Sequence, residues 1–595
     1  MLTVILIWLY MIFTTFLAGY GILRGLTRLC PYHVRKWDSY LMCGLTAVTV
    51  YAQFCSLLGP VGLVANVMLT GICLIVAIIN RKSLSEEIRE KLRRMRKGEV
   101  IALILLFLVF AYGTSRGIIH YDTGLYHAQS IRWIEEYGVV KGLGNLHCRL
   151  AYNSASFALS ALYSFAFLGG ASYHATAGFL AFLVAVVCGE LTGFVRRKRF
   201  IVSDFARVMG IYYLLVIFDE MISPASDYFM VLTTFYLVIR WMDLLEERED
   251  TIFPYAMLCV LGVFLLTVKF SAALMILLTW KPAMALVRQK RWKETVMYLC
   301  LGIFTAAPFL IRNALLSGWL FYPLTGIDVL QADWKIPEGI AAYDAKEIQV
   351  WGRGYVDVMQ YDKPIWEWLP TWFHKISGMD KLFVLAALAS VLVYVLRLVY
   401  LLWRMYRKRV HGKEDEAERK ALSEIDFGSI EADRKNKKDK LLAEGVLVAC
   451  FLFWLLSSPL IRYGCVYAYL VSAVVAGDIF TEYLYADSKP GDIRIQKRYK
   501  MYMEKACICL IGLFLVYKAI AFGREVAGAY VNDYWICQKD YDNYETTSYE
   551  IDGFTFYYPV MGDQVGYESF PSSPAPAKIG LRGGDIKDGF YFLGQ

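Results

Sequence analysis

Acids able to take a proton, three imidazoles and several amides crowd a single stretch between membrane-length apolar runs: IIHYDTGLYHAQSIRWIEEYGVVKGLGNLHCRLAYNS, Ile118 to Ser154. Asp122 is the candidate general base, because a carboxylate held at the edge of an apolar run can accept a hydroxyl proton. Tyr126 and His127 follow at helical spacing. That spacing puts Asp122 and Tyr126 on one face of a helix expected from Thr123 to Tyr137, with Gly138 as its stop. Asn145, His147, Arg149 and Asn153 form a second polar cluster suited to hydrogen bonding with an acceptor or a sugar. Asp227, in the string SPASDY, is a further acid of this kind. The competing role for both aspartates is a helix cap.

Three cations stand where apolar runs end: Lys269 in TVKFSA, Arg312 in LIRNALLSGWLFYP and Arg462 in PLIRYG. A cation there can hold a phosphate, and its competing role is to snorkel towards the membrane surface. Permanent charge and a bidentate fork favour Arg312 over Lys269. His127 and His147, together with Asp122, are also the residues that would take a divalent metal, although no H-E-x-x-H spacing supports one. No G-x-G-x-x-G or P-loop string occurs, so any donor is expected to arrive already activated.

These residues must be positioned by a membrane-embedded frame. The chain has 595 residues, 57% of them hydrophobic, and a mean hydropathy of +0.42. Those values exclude an ordinary soluble domain. The net charge of +8 does not indicate a nucleic-acid partner, because the cations cluster in short loops between apolar runs. The 13 cysteines are scattered without metal-finger spacing and read as small apolar side chains.

Apolar runs predict an all-α polytopic protein with about 14 spans and interfacial helices in its first large outer loop. Cations at Arg24, Arg28, Arg35 and Lys36, and the string from Arg81 to Glu99, are expected to be cytoplasmic, which puts Asp122 outside. The run from Leu150 to Leu168 is expected to lie in the outer interface, since a crossing there would put the cations Arg196 to Arg199 outside.

Residues 1–98 read as a three-helix extension and 99–522 as the membrane core. The core has outer loops at 116–172 and 317–381 and a cytoplasmic loop at 404–441. The tail, 523–595, reads as a small β-rich cap outside the membrane, with short aromatic runs between Pro and Gly breaks. Trp319, Tyr322, Trp351, Tyr355, Trp366, Trp368 and Trp372 crowd the second outer loop, where they can stack on sugar rings or sit in an interfacial belt.

Together these groups suit transfer of a sugar from a polyprenyl phosphate to the hydroxyl of a glycan, lipid or protein at the outer face of the cytoplasmic membrane. Asp122 followed by Tyr126 and a surface helix resembles the first outer loop of the GT-C superfamily of integral-membrane glycosyltransferases. IRNALLSGWLFYP, Ile311 to Pro323, is similar to an R-N-x-x-x-x-G-x-x-x-Y-P segment of its bacterial members. The chain resembles most closely an uncharacterised bacterial multipass group with the same YDTGLYH, GNLH and carboxy-terminal GDQVGY strings. The resemblance implies that Asp122 is the base and that Arg312 holds the lipid phosphate. The chain departs from it where Thr123 follows the loop Asp, in place of a second acid, and in its three extra amino-terminal spans.

Two other functions are compatible with the sequence. A pyrophosphate-lipid-dependent polymerase or ligase would place its chemistry around Arg353 and His374. A transporter or lipid flippase would pair ionisable residues near the middle of the membrane.

Overall fold

A chain segment surrounded by hydrocarbon has to satisfy its own backbone N–H and C=O groups, so the apolar runs fold as helices. The computed structural model describes residues 1–411, 427–485, 493–528 and 533–594. The cytoplasmic loop expected at 404–441 therefore falls partly outside the described residues.

The helices are α1 (Leu2–Leu29), α2 (Trp37–Leu58), α3 (Leu63–Ile79), α4 (Arg81–Arg94), α5 (Lys97–Ser115), α6 (Ala128–Glu136), α7 (Ala155–Leu162), α8 (Thr176–Gly189) and α9 (Phe194–Arg197). They continue as α10 (Val202–Val216), α11 (Ser226–Glu246), α12 (Ile252–Val268), α13 (Trp280–Arg288), α14 (Trp292–Ser317), α15 (Glu338–Gly352), α16 (Ile365–Lys375) and α17 (Gly378–His411). The last three are α18 (Phe427–Ser457), α19 (Ile461–Tyr485) and α20 (Ile493–Gly528).

Among the described residues, ten helices are long and apolar enough to cross a membrane, or eleven if α3 and α4, bent by 86°, form one span. The structure thus shows fewer such helices than the 14 spans expected. Runs that read as separate spans fold into the shorter helices α10 and α12, of 15 and 17 residues, and α10 carries Asp204 and Arg207 within it.

The first three helices share the core of the rest. Trp8 of α1 lies 5.5 Å from the Phe107 ring and 5.8 Å from that of Phe182, and its indole N–H donates to the Ala175 carbonyl. Small residues let α1 and α2 approach closely. A β-carbon on Gly44 would stand 1.7 Å from the Thr15 carbonyl oxygen.

The run at Leu150–Leu168 forms α7, only eight residues long and buried at every position. It packs between α2 and α6.

The tail forms two small antiparallel pairs. β1 (Thr546–Ile551) pairs with β2 (Phe554–Pro559), and β3 (Ile579–Leu581) pairs with β4 (Phe590–Phe592). The β1–β2 turn is Asp552-Gly553, both at positive φ, a combination that suits the twist of a two-residue hairpin. This tail sits on α6: Trp133 packs 4.8 Å from the Phe570 ring and 6.0 Å from that of Phe590.

Candidate functional site

The loop after α5 leads into a five-residue π-turn, Thr123–His127, before α6 begins. The Ala128 amide reaches back to the Thr123 carbonyl, one residue beyond α-helical pairing. Such turns recur at functional sites. Gly138, at φ +79°, ends the helix as expected, and a β-carbon there would collide with the Gly59 carbonyl.

Asp122 is 7% exposed and does not cap this helix. Its Oδ2 lies 2.8 Å from Nη2 of Arg462, at the start of α19. Its Oδ1 accepts no hydrogen bond among the described residues. Asp227, the second residue of α11, makes no cap either. It is ion-paired with Lys269, and its Oδ2 is 3.9 Å from Nε of Arg462. Lys269 occupies the break between α12 and the following 3-10 segment, Phe270–Thr279, and lies 3.9 Å from the Tyr463 ring centroid. Four distant segments thus build a chain of alternating charge: Asp122, Arg462, Asp227, Lys269. Each acid faces a base, which is how ionised groups can remain charged when mostly buried.

Histidines border the cluster. Nε2 of His120 is 2.6 Å from Nη1 of Arg462, while its Nδ1 is 3.1 Å from the Asp122 amide nitrogen. A neutral imidazole has one acceptor nitrogen, so only one of these contacts is a hydrogen bond. Burial pushes the His120 ring below its usual pKa, against the pull of the Asp122 charge. Burial holds His127 well below its usual value, with the neighbouring His120 adding to the effect. The His127 ring stacks edge-on to Tyr126 at 4.4 Å, and Tyr126 packs against Tyr152 at 5.8 Å.

The other residues singled out in the sequence lie apart from this cluster. Arg312 is 3% exposed, donates to Asn153 at 3.0 Å and to Ser56, and has no carboxylate within ion-pair distance among the described residues. Asn153 in turn donates to the Phe309 carbonyl and to Asn313. Arg312 and Asn153 therefore tie α14 to α2 and to the turn before α7. The adjoining Ser154 hydroxyl donates to the Val268 carbonyl, one residue before Lys269. Asn145 donates to the Trp334 carbonyl, and the half-buried His147 has its Nε2 buried and unpartnered. Arg149 lies 3.7 Å from Glu347 and 4.5 Å from the Trp351 ring centroid.

His120 and Tyr463 belong to the cluster, but their sequence neighbourhood was the only hint of it. The GDQVGY string takes on a definite role. The amides of Val565 and Gly566 both donate to the Gly124 carbonyl of the π-turn, at 2.9 and 2.8 Å. Gln564 donates to the Tyr121 carbonyl, and the Tyr121 hydroxyl donates to Asp563. The tail thus grips the residues on both sides of Asp122.

A divalent metal does not fit this arrangement. Asp122 and Asp227 are engaged by cations, and no group of three or more His, Cys, Asp or Glu able to hold a metal occurs among the described residues. Arg353 lies between the Tyr361 and Trp368 rings and donates to the Tyr361 carbonyl. The charges within α11 lie towards its ends: Asp227 is its second residue, while Arg240 and Asp243 lie in its last two turns with Arg207, Asp38 and Glu190.

No curated protein and no solved structure matches this chain. Residues 1–469, which include every member of the charged cluster, match the family described as a domain of unknown function, DUF8201, and the chain belongs to that family.

Proposed function

We propose that this protein transfers a sugar from a polyprenyl phosphate to an acceptor hydroxyl, with inversion at the anomeric carbon. The observation that carries this reading is the Asp122 carboxylate, mostly buried, with one oxygen unbonded among the described residues and two cations, Arg462 and Lys269, grouped with it. In the reaction the acceptor oxygen attacks the anomeric carbon and its proton passes to Oδ1 of Asp122. The bond from that carbon to the phosphate oxygen breaks, and the electron pair leaves with the phosphate. Arg462 and Lys269 take up the phosphate charge by exchanging carboxylate partners for phosphate oxygens.

The acceptor is a glycan, lipid or protein hydroxyl. The protein crosses the bacterial cytoplasmic membrane many times, with Asp122 on the outer side, as the distribution of loop cations favours. The test is purified protein incubated with a panel of radiolabelled polyprenyl phosphate sugars and cell-envelope acceptors. Wild type should transfer label. Asp122→Asn and Arg462→Ala should not, and transfer by both variants at the wild-type rate overturns the reading.

A further inference from the structure

A cavity of about 490 Å³ runs between α1, α2, α11, α12 and α14, and Asp122 is not part of its lining. One whole stripe of α2 faces it, at Ser39, Met42, Thr46, Val50 and Phe54. At a rise of 1.5 Å per residue the stripe is about 22 Å long. Met257 and Leu261 of α12 and Phe304 of α14 close the far side, and all three are apolar. Water is a poor occupant of such a passage, because it needs several polar partners. A hydrocarbon chain suits both its length and its lining, and a bilayer supplies chains at the surface of these helices.

The chemistry of one end selects among lipids. There the lining becomes ionic, with Arg35, Lys36 and Glu247. Arg35 lies 3.1 Å from Glu247 and 3.3 Å from Glu249, and the Arg35 and Glu247 side chains are 57% and 43% exposed. The Arg35–Glu247 pair is therefore exposed, and exposed pairs are weak and open readily to a competing ligand, whereas Glu249 is 10% exposed. A head group with phosphate alone would meet the Glu247 carboxylate beside Arg35. A head group with both charges satisfies the exposed pair, phosphate on Arg35 and ammonium on Glu247. Lys36 is held by Glu190 at 2.7 Å and marks the inner edge of this mouth.

We propose that this cavity binds one chain of a phospholipid whose head group, carrying a phosphate and a primary ammonium, docks between Arg35 and Glu247. The site is independent of the transfer reaction.

The experiment is native mass spectrometry of delipidated full-length protein with phosphatidylethanolamine, phosphatidylglycerol and phosphatidylcholine of identical chains. Wild type should retain one equivalent of phosphatidylethanolamine in preference to the other two. Ala47→Trp, which fills the middle of the passage, should lower retention about tenfold. Should that variant fail to fold, Glu247→Arg, a surface change, should shift the preference to phosphatidylglycerol. Equal retention of all three lipids by wild type, or an unchanged preference in Glu247→Arg, overturns the proposal. Asp122→Asn should bind lipid as wild type does, which separates this test from that of the transfer reaction.

Discussion

Arg462 stands 2.8 Å from Asp122, joining the start of α19 to the residue that opens the π-turn. It also reaches towards Asp227 at 3.9 Å, so one guanidinium couples both acids of the cluster. Any ligand that draws Arg462 away changes the surroundings of both carboxylates at once.

Replacing Asp122 by Asn keeps the shape and removes the proton acceptor. Transfer should fall by about 10²- to 10⁴-fold, the range typical of losing a positioned base. The rate with a radiolabelled donor is the measurement, and a loss smaller than twofold removes Asp122 from the mechanism.

Lys269 and Asp227 are partners with little exposure. Lys269→Met alone leaves Asp227 with only the longer contact to Arg462, at 3.9 Å, and should cost about 3 kcal/mol. Combined with Asp227→Asn, the cost should be smaller than the sum of the single variants by about 1–3 kcal/mol. Denaturant unfolding in detergent gives the three values, and strict additivity would show that the pair is not coupled.

The grip of the tail on Gly124 depends on Gly566, which sits at φ +71° with the Asp542 carbonyl oxygen 2.8 Å from where a β-carbon would be. Gly566→Ala should cost about 1–2 kcal/mol. It should also speed amide exchange across Tyr121 to Ala128. Gly584→Ala, with open space around it and no positive φ, is the control. Equal exchange in the two variants would mean that the tail does not hold the π-turn.

Acid should destabilise the protein through its buried imidazoles. Burial, with Arg149 adding to it, pushes His147 down to about 3, and burial pushes His174 down to about 4. Each is neutral in the folded state while the unfolded chain titrates near 6.5, so the unfolded state binds more protons between those values. Stability is therefore full above about pH 6.5 and falls below it, at up to about 1.4 kcal/mol per pH unit per histidine. Thermal unfolding at pH 7.5 and pH 5 should show a smaller drop for the His147→Gln, His174→Gln double variant. An identical drop in both proteins would assign the acid lability to other groups.

The sequence alone located the long apolar helices such as α1, α2 and α5, because a long apolar run in hydrocarbon has no other way to pair its backbone, but not the helices α15 and α16 of the second outer loop. It also located the polar island at Asp122, the Gly138 stop and the turn-broken, aromatic tail, since these depend on neighbours in the chain. Only the tertiary structure decided which cation meets which acid. Helical periodicity tells which residues share a face, not which helices become neighbours, so Arg312 and Arg462 look equivalent in the sequence. The fold gives Arg312 to Asn153 and Ser56, and Arg462 to Asp122. The seating of Val565 and Gly566 on Gly124 was equally hidden, because a contact between backbone amides and a carbonyl leaves no signature in side-chain type.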